Sequence, residues 1–166
     1  MKNFLIAIIL ILTTLSTTTL HVLAVEADPN ASYRNDGYTI IQYDDGSILT
    51  ILPIEVQENE VSTYASANTK TASRRAYFED ASGNLEWEYT LTATFSYVNG
   101  VSSSCTNAYY THNIYGSSWS FSDGSATASG NTAIGKGKFV EKFLLITIKT
   151  YNVDISITCD TYGNLT

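Results

Sequence analysis

The stretch that decides the fold runs from Leu85 to Tyr97 and reads LEWEYTLTATFSY. Its alternate residues from Leu85 onward are apolar or aromatic, and the residues between them are Glu, Thr or Ser. Because strand side chains alternate between two faces, this pattern predicts a long antiparallel strand with one face in a core and the other in water. We expect Trp87, Leu91 and Phe95 to be core residues, each contributing about 1.5–3 kcal/mol on burial.

Turn residues bracket this strand on both sides. The sequence ASGN precedes it, and Asn99-Gly100 follows it. Asn-Gly is the favoured pair in two-residue hairpin loops, because both residues tolerate positive φ. Three strands in meander order are therefore predicted, at about 70–80, 85–98 and 101–115.

Further strands are predicted toward the C-terminus. They comprise a strand with Trp119 and Phe121, one over about 132–142 and a last one from about Lys149 to Asp160, with turn or bulge signals at Asp123-Gly124 and Ser129-Gly130-Asn131. Six or seven strands in about 95 residues suit two packed sheets better than a closed barrel. We predict an all-β fold, an antiparallel β-sandwich that is immunoglobulin-like in architecture.

The two cysteines are predicted to form one disulfide within the domain. Cys159 shares a face of the last strand with Val153, Ile155 and Ile157, so it should point inward. Two cysteines in an exported chain usually pair, and a Cys105–Cys159 bridge would contribute about 4 kcal/mol on the chain-entropy account. The alternatives are two free thiols, or one catalytic thiol.

The first 27 residues predict a secretory signal peptide. Lys2 supplies the positive start, the run from Phe4 to Leu12 is apolar, and cleavage is expected after Ala24 or, preferably, Ala27. The alternative is an uncleaved anchor, but a span needs about 20 predominantly apolar residues, and Thr and Ser dilute this one. We expect a secreted protein, extracellular or associated with the cell surface, with no stable membrane span after cleavage.

Charge divides the rest of the chain. The net charge is -7, and seven acids face one base between residues 28 and 60. We therefore predict an acidic N-terminal segment over 28–69, with a hairpin over 38–52 and a linker over 57–69, followed by the β-sandwich domain over 70–166. An isolated hairpin is marginal in water, so it must dock on the domain, pair with a partner or remain partly unfolded. No basic cluster predicts a nucleic-acid role.

Aromatic residues supply the candidate binding site. The suggestive cluster comprises Tyr109, Tyr110, Tyr115 and Trp119. Tyr109 and Tyr110 must face opposite sides of one strand, and exposed aromatic rings serve sugar stacking or protein contacts. The alternative is that these tyrosines reflect β propensity alone.

No catalytic residue, cofactor or metal site is predicted. Glu86 and Glu88 lie about 7 Å apart by strand rise, which overlaps the spacing of glycosidase carboxylates, but two solvated acids on a polar face are ordinary. His112 is a poor start for a zinc site without clustered ligands. The Asp-Gly turns lack the spacing of a calcium loop.

Several short motifs together resemble an uncharacterised family of small secreted proteins from Gram-positive bacteria. They are Lys70 to Arg74, Gly83 to Trp87, Thr94 to Tyr97, Ser104-Cys105-Thr106, Ser117-Ser118-Trp119, Thr158-Cys159-Asp160 and Gly163-Asn164-Leu165, with Asp45-Gly46-Ser47 upstream. The resemblance covers about 97 of the 166 residues. It implies secretion and a β-rich fold, and it brings no known activity or catalytic residue.

Two functions are therefore open. The first is a secreted, non-enzymatic binding or interaction module that recognises a glycan or a protein surface. The alternative is an exported effector or bacteriocin-like protein whose acidic N-terminal segment is processed.

Overall fold

A computed structural model of the protein describes residues 25–26, 31–35, 37–57 and 67–166, with side chains from residue 37 onward. Every regular element in these ranges is a strand: β1 (Val25–Glu26), β2 (Ala31–Asn35), β3 (Tyr38–Gln42), β4 (Ile48–Ile51), β5 (Glu55–Gln57), β6 (Asn68–Glu79), β7 (Leu85–Val98), β8 (Ser102–Ile114), β9 (Trp119–Ser129), β10 (Thr132–Phe143) and β11 (Ile146–Thr158). The predicted all-β class is confirmed.

Some of the sequence predictions fall outside these ranges. Apart from Val25 and Glu26, the predicted signal peptide over 1–27 lies outside the described residues, and so does most of the predicted linker over 57–69. Among the residues that are described, no helix is long and apolar enough to cross a membrane.

The strands form two sheets that pack face to face. The larger sheet has the order β2-β3-β4-β6-β7-β8, with β5 also paired to β6, and the smaller has the order β1-β11-β10-β9. All pairs are antiparallel except the short pairing of β1 with β11. Neighbouring strands are mostly successive in the chain. The sheets are thus meanders, without the Greek-key crossovers of an immunoglobulin domain.

The core lies between the sheets and follows the alternation of β7. Trp87, Leu91 and Phe95 are all 0% exposed, as predicted. Trp87 stacks on Phe139 of β10 with 3.8 Å between ring centroids. Val153, on β11, is also buried in this cluster. The alternating apolar face of one strand therefore anchors the contact between the two layers.

Glycines on β10 make room for the ring of Tyr89, which is 0% exposed. A Cβ at Gly137 would lie 2.8 Å from Cδ2 of Tyr89 and 2.9 Å from Cγ1 of Val153. Because glycine has no Cβ, the ring of Tyr89 packs closely against β10. Its hydroxyl donates to the carbonyl of Ser125 at 2.9 Å. The close approach of the two sheets at this point depends on glycine.

The N-terminal hairpin belongs to the larger sheet. β4 pairs with β6 in the register Leu49 to Phe78, and Leu49 is 2% exposed. Tyr43, in the hairpin turn, is also buried, and its ring lies 4.9 Å from that of Tyr151. Of the three fates open to this hairpin, docking is the one observed. The sheet joins strands from both sides of residue 70.

One turn prediction needs correction, and the turn or bulge predicted at Asp123-Gly124 is a bulge. Asn99-Gly100 lies in a three-residue connection, because Val98 pairs with Ser102 and only Gly100 has a positive φ, of 67°. Asp123-Gly124 lies within β9, which continues through it with a register shift next to Asp123. In both cases the residues tolerate a turn, but the pairing of neighbouring strands sets the geometry.

The predicted disulfide is not formed. Cys105 and Cys159 are free thiols, and each has its own neighbour: Sγ of Cys105 lies 3.3 Å from the carbonyl of Asn107, and that of Cys159 lies 3.5 Å from the carbonyl of Asp160. The physical reason is local. A register shift in the pairing of β7 and β8 occurs next to Cys105, and a bulge of this kind re-aims the side chains beside it.

A repeated turn escaped the sequence analysis. Asp80 and Asp160 each begin the pattern Asp-x-x-Gly-Asn-Leu. In both turns, Oδ1 accepts two backbone N–H groups and Oδ2 accepts the side-chain amide of Asn84 or Asn164, at 2.9 and 2.7 Å. These hydrogen bonds lower the pKa of both aspartates. The signal was visible in the sequence as an internal repeat.

Candidate binding surface on the larger sheet

The outer face of the larger sheet carries side chains in cross-strand rows. One row runs through Thr50, Tyr77, Glu88 and Asn113, because β4, β6, β7 and β8 pair in that register. Side chains on one face of paired strands stand close enough to interact. We call Arg75, Tyr77, Glu88, Asn113 and Tyr115 the outer-face cluster.

Glu88 is the centre of this cluster. Its Oε1 accepts a hydrogen bond from Nδ2 of Asn113 at 2.6 Å, and its Oε2 lies 3.6 Å from Nη1 of Arg75. Desolvation and a hydrogen bond with Glu88 raise the pKa of the Tyr115 hydroxyl. The Arg75 guanidinium also lies 5.9 Å from the ring centroid of Tyr77. A single carboxylate thus orients one tyrosine, one amide and one guanidinium on an open face.

Two of the four predicted binding residues lie on exposed surface. Tyr109 and Tyr115 are 50% and 53% exposed. Tyr109 pairs with Thr92 of β7, so it shares the outer face with Glu88 and Asn113.

The other two predicted residues are part of the packing instead. The Tyr110 ring stacks on buried Tyr89, with 5.4 Å between centroids. Trp119 is only 9% exposed and meets Phe78 edge to face at 5.2 Å. Both rings fill space between the two sheets at the β8–β9 side.

Threonines surround the cluster and add uncharged hydroxyl groups to the face. Thr90, Thr92 and Thr94 alternate along β7, next to Thr111 and Tyr109 of β8. The hydroxyls of Thr71 and Thr94 lie 3.1 Å apart across β6 and β7. The face therefore combines two exposed rings with an array of hydroxyl, amide and charged groups.

A second polar region lies at one end of the sandwich. This end cleft has a volume of about 250 Å³ and includes Asp45, Ser47, Glu86, Trp119, Glu141, Lys149 and Tyr151 among its lining residues. Lys149 forms a salt bridge with Asp45, and the Tyr151 hydroxyl lies 3.2 Å from Oδ2 of Asp45. Burial opposes ionisation, but hydrogen bonds from Lys149 and Ser47 hold the pKa of Asp45 well below its usual range. These groups bind one another and join the N-terminal hairpin to β11.

Glu86 faces this end cleft, apart from Glu88. The register passes from Phe78–Trp87 to Glu79–Leu85, so Glu86 is the extra residue of a β-bulge. Its Oε2 is buried without a hydrogen-bond partner, and burial raises its pKa, with Asp80 and Glu141 adding to the effect. The bulge therefore separates the two glutamates that the strand pattern places on one face.

The part of the chain that the structure describes contains no group of three or more His, Cys, Asp or Glu side chains suited to a metal ion. His112 is exposed, and its ring stacks on Phe121 at 3.8 Å.

In comparisons with known proteins, no family model, no curated protein and no solved structure matches the chain. Function is therefore inferred from the geometry of the described residues.

No sequence pattern predicts that Arg75, Tyr77, Glu88 and Asn113 form one functional group. Their types carry no motif, and only the register of β6, β7 and β8 brings them together. The alternation of β6 was the one available signal, because it places Arg75 and Tyr77 on the same face as each other.

Proposed function

We propose that this protein is a secreted, non-enzymatic binding module that recognises an extended glycan through the outer face of its larger sheet. The observation that carries the proposal is the pair of exposed rings, Tyr109 and Tyr115, with the Tyr115 hydroxyl beside Glu88, Arg75 and Asn113. Rings of this kind stack on sugars, and the polar groups next to them bind hydroxyls.

The spacing of the rings favours a polymer as ligand. Tyr109 lies on β8, and Tyr115 directly follows the last residue of that strand, so about 20 Å of chain separates their backbones at strand rise. A small molecule could not contact both. The face also suits a chain that lies along the sheet, because no described residue encloses its ends.

A glycan fits this face better than a protein partner does. The centres of stable protein interfaces are rich in apolar side chains and poor in charge. Here, Thr111 and Asn113 lie between the rings along β8, with the charged pair of Glu88 and Arg75 beside them on β7 and β6. Such groups can exchange water for sugar hydroxyls without the burial of a large apolar area.

The extracellular part of the proposal has separate support. Lys2, the apolar run from Phe4 to Leu12 and the small residues at Ala24 and Ala27 have the pattern of a signal peptide. A glycan-binding role suits that location, and the resemblance to small secreted proteins agrees with it.

An exported effector processed near Lys70 is the less favoured alternative. Such processing would remove β2 to β5, including Tyr43 and Leu49, and would expose Phe78 and Tyr151, which these two residues contact. The intact mass of the protein in culture medium distinguishes the two: a chain that begins near Lys70 supports processing, and one that begins at Val25 or Asp28 does not.

Binding to glycans tests the proposal directly. The full chain is screened on immobilised polysaccharides, and the affinity for a soluble oligosaccharide of the best polymer is measured for Tyr109→Ala and Tyr115→Ala. Each variant should bind about 2- to 10-fold more weakly, the loss of one aromatic contact. Tyr162→Ala removes a tyrosine that is 65% exposed outside this face and should bind normally. Unchanged affinity in both outer-face variants, or no polysaccharide bound, would reject the proposal.

A further inference from the structure

The hairpin between β10 and β11 ends in a protruding apolar tip. Phe143, Leu144, Leu145 and Ile146 are consecutive and are 65%, 80%, 95% and 51% exposed. Large apolar side chains scattered singly on a surface need no explanation, but a contiguous exposed group marks a contact site. We call these four residues the apolar tip.

The backbone of the tip breaks the usual rule for such turns. Leu144 and Leu145 have φ of 47° and 71°, and they are the only described non-glycine residues with positive φ. A two-residue turn with both φ positive normally uses Asn-Gly, because those residues adopt it with little strain. Leucine at both positions costs stability, and its side chains gain no burial in the fold. Strain kept without a folding benefit points to a function.

The base of the tip is held by the fold. Phe143 pairs with Ile146, and Lys142 pairs with Thr147. The backbone N–H of Lys142 also donates to the carbonyl of Ser118 at 2.8 Å. The four apolar side chains are therefore presented at the end of a fixed hairpin.

Positive charge lies beside the tip. Lys138 and Lys142 line a shallow groove on the outer face of the smaller sheet, together with Thr147. Glu141 faces the other way, into the end cleft. Although the chain carries a net charge of -7, the face next to the apolar tip presents two lysines, and Asp123 opposite Lys138 is the one acid among their paired residues on β9 and β11. Apolar side chains beside lysines suit an interface with anionic lipid headgroups.

We propose that the apolar tip inserts into the surface of an anionic lipid bilayer, with Lys138 and Lys142 contacting headgroups. The size of the tip favours this occupant over a protein, because a standard protein interface buries about 800 Å² per partner and four side chains are too few for it. The proposal is independent of glycan binding, since the tip lies on the smaller sheet and the outer-face cluster on the larger.

Vesicle binding tests the proposal. The full chain and the double variant Leu144→Asn, Leu145→Gly are sedimented with vesicles of phosphatidylcholine and phosphatidylglycerol. The variant residues suit the turn, so the hairpin should still form. We expect its partition coefficient to fall at least about ten-fold. The matched control is Val101→Asn, which removes a 73% exposed apolar residue at the opposite end of the sandwich and should leave binding unchanged.

A depth measurement separates the tip from any other contact with lipid. Phe143→Trp and, as control, Val101→Trp are mixed with vesicles of brominated lipid, which quenches indoles in the acyl region. Trp87 and Trp119 are 0% and 9% exposed and give a constant background. Quenching at position 143 alone supports insertion.

Three results would overturn the proposal. The first is the absence of added quenching at position 143, and the second is equal vesicle binding by the double variant. The third is self-association of the full chain that the double variant abolishes while vesicle binding is unaffected, since the tip would then contact a second copy.

Discussion

A two-residue turn lies at each end of strand β10. One turn has glycine at its position of positive φ, and the other has leucine at both such positions. Gly130-Asn131 joins it to β9, with φ of 58° at the glycine, where a turn of this type needs glycine. Leu144 and Leu145 join it to β11 with positive φ at both. The first turn forms hydrogen bonds with other parts of the fold, whereas the side chains of the second are exposed to solvent.

The bonds of the first turn explain the difference. The carbonyl of Gly130 accepts the N–H of Cys105 at 2.8 Å, and that of Asn131 accepts the N–H of Cys159 at 3.0 Å. One turn thus joins the larger sheet to the end of β11. In the Gly130-Asn131 turn, the residue types suit the backbone conformation of the turn. In the exposed Leu144-Leu145 turn they do not, as expected of functional sites.

The largest expected effect is a difference in the free energy of unfolding between variants at two phenylalanines of β10. Phe139→Ala removes a fully buried ring and should lower the free energy of unfolding by about 3–5 kcal/mol. Phe143→Ala, in the apolar tip, should change it by less than about 0.5 kcal/mol. Denaturant unfolding measures both. Similar losses would mean that the tip is structural and would break the comparison.

The next effect is a gain. Leu144→Asn with Leu145→Gly should raise the free energy of unfolding by about 1–2 kcal/mol, because left-handed backbone costs a leucine about 1–2 kcal/mol. The reverse exchange, Gly130→Leu, should lower it by a similar amount. Urea denaturation of the three proteins gives the order. A double variant less stable than wild type would contradict the strain at the tip.

The anchored turn can be weakened at one side chain. Asn131→Ala removes the hydrogen bond from Nδ2 to the carbonyl of Cys159, which is 2.8 Å long. We expect a loss of about 1 kcal/mol. Asn152→Ala, at an exposed position of β11, is the control and should have little effect. Equal stabilities for the two variants would show that backbone bonds alone hold the turn.

Acid should loosen the base of the tip hairpin and leave the tip unchanged. The pKa of Asp45 is lowered in the folded protein, so its salt bridge with Lys149 stabilises the fold above the unfolded pKa of about 3.9 and is lost as the pH falls below it. Because the pair is partly exposed, the contribution is at most about 1 kcal/mol. Asp45→Asn should reduce the stability difference between neutral and acid pH, whereas Asp44→Asn controls for charge. An unchanged pH profile in Asp45→Asn would contradict the assignment.

The smallest effect is a difference in thiol reactivity around the anchored turn. Cys105 is partly exposed, and burial raises its pKa, so it should react slowly with a disulfide reagent at neutral pH. Cys159 is 0% exposed and should react only on unfolding. Two thiols are expected in denaturant without reductant. If no thiol is detected, the two cysteines form a disulfide, and the free thiols of the structure are contradicted.

The sequence alone was sufficient for β7 and the core residues on it. The alternation over Leu85 to Tyr97 assigns each side chain to a face, and a strand of that length can bury its apolar face only against a second layer. Glycine near residue 130 likewise marked the anchored turn. These features depend on backbone conformation and on apolar burial, which short stretches of sequence specify.

The candidate site was less predictable. Of the predicted aromatic residues, Tyr109 and Tyr115 reach the surface, while Tyr110 and Trp119 pack inside. The alternation along a strand assigns its residues to two faces. When both faces carry tyrosines, it does not show which face is buried against the other sheet. The apolar tip was missed for a related reason, since an apolar run such as Phe143 to Ile148 resembles a buried strand until its neighbours are known.

The sequence by itself therefore determined the class of the fold, the long strand β7 and its core face, whereas export stays a prediction. Only the tertiary structure decided that Glu88 meets Arg75, Asn113 and Tyr115, that Glu86 faces the end cleft, and that four apolar residues face solvent. Alternation, turn preference and hydropathy act between near neighbours in the chain. Register, bulges and the covering of one sheet by another depend on residues tens of positions apart.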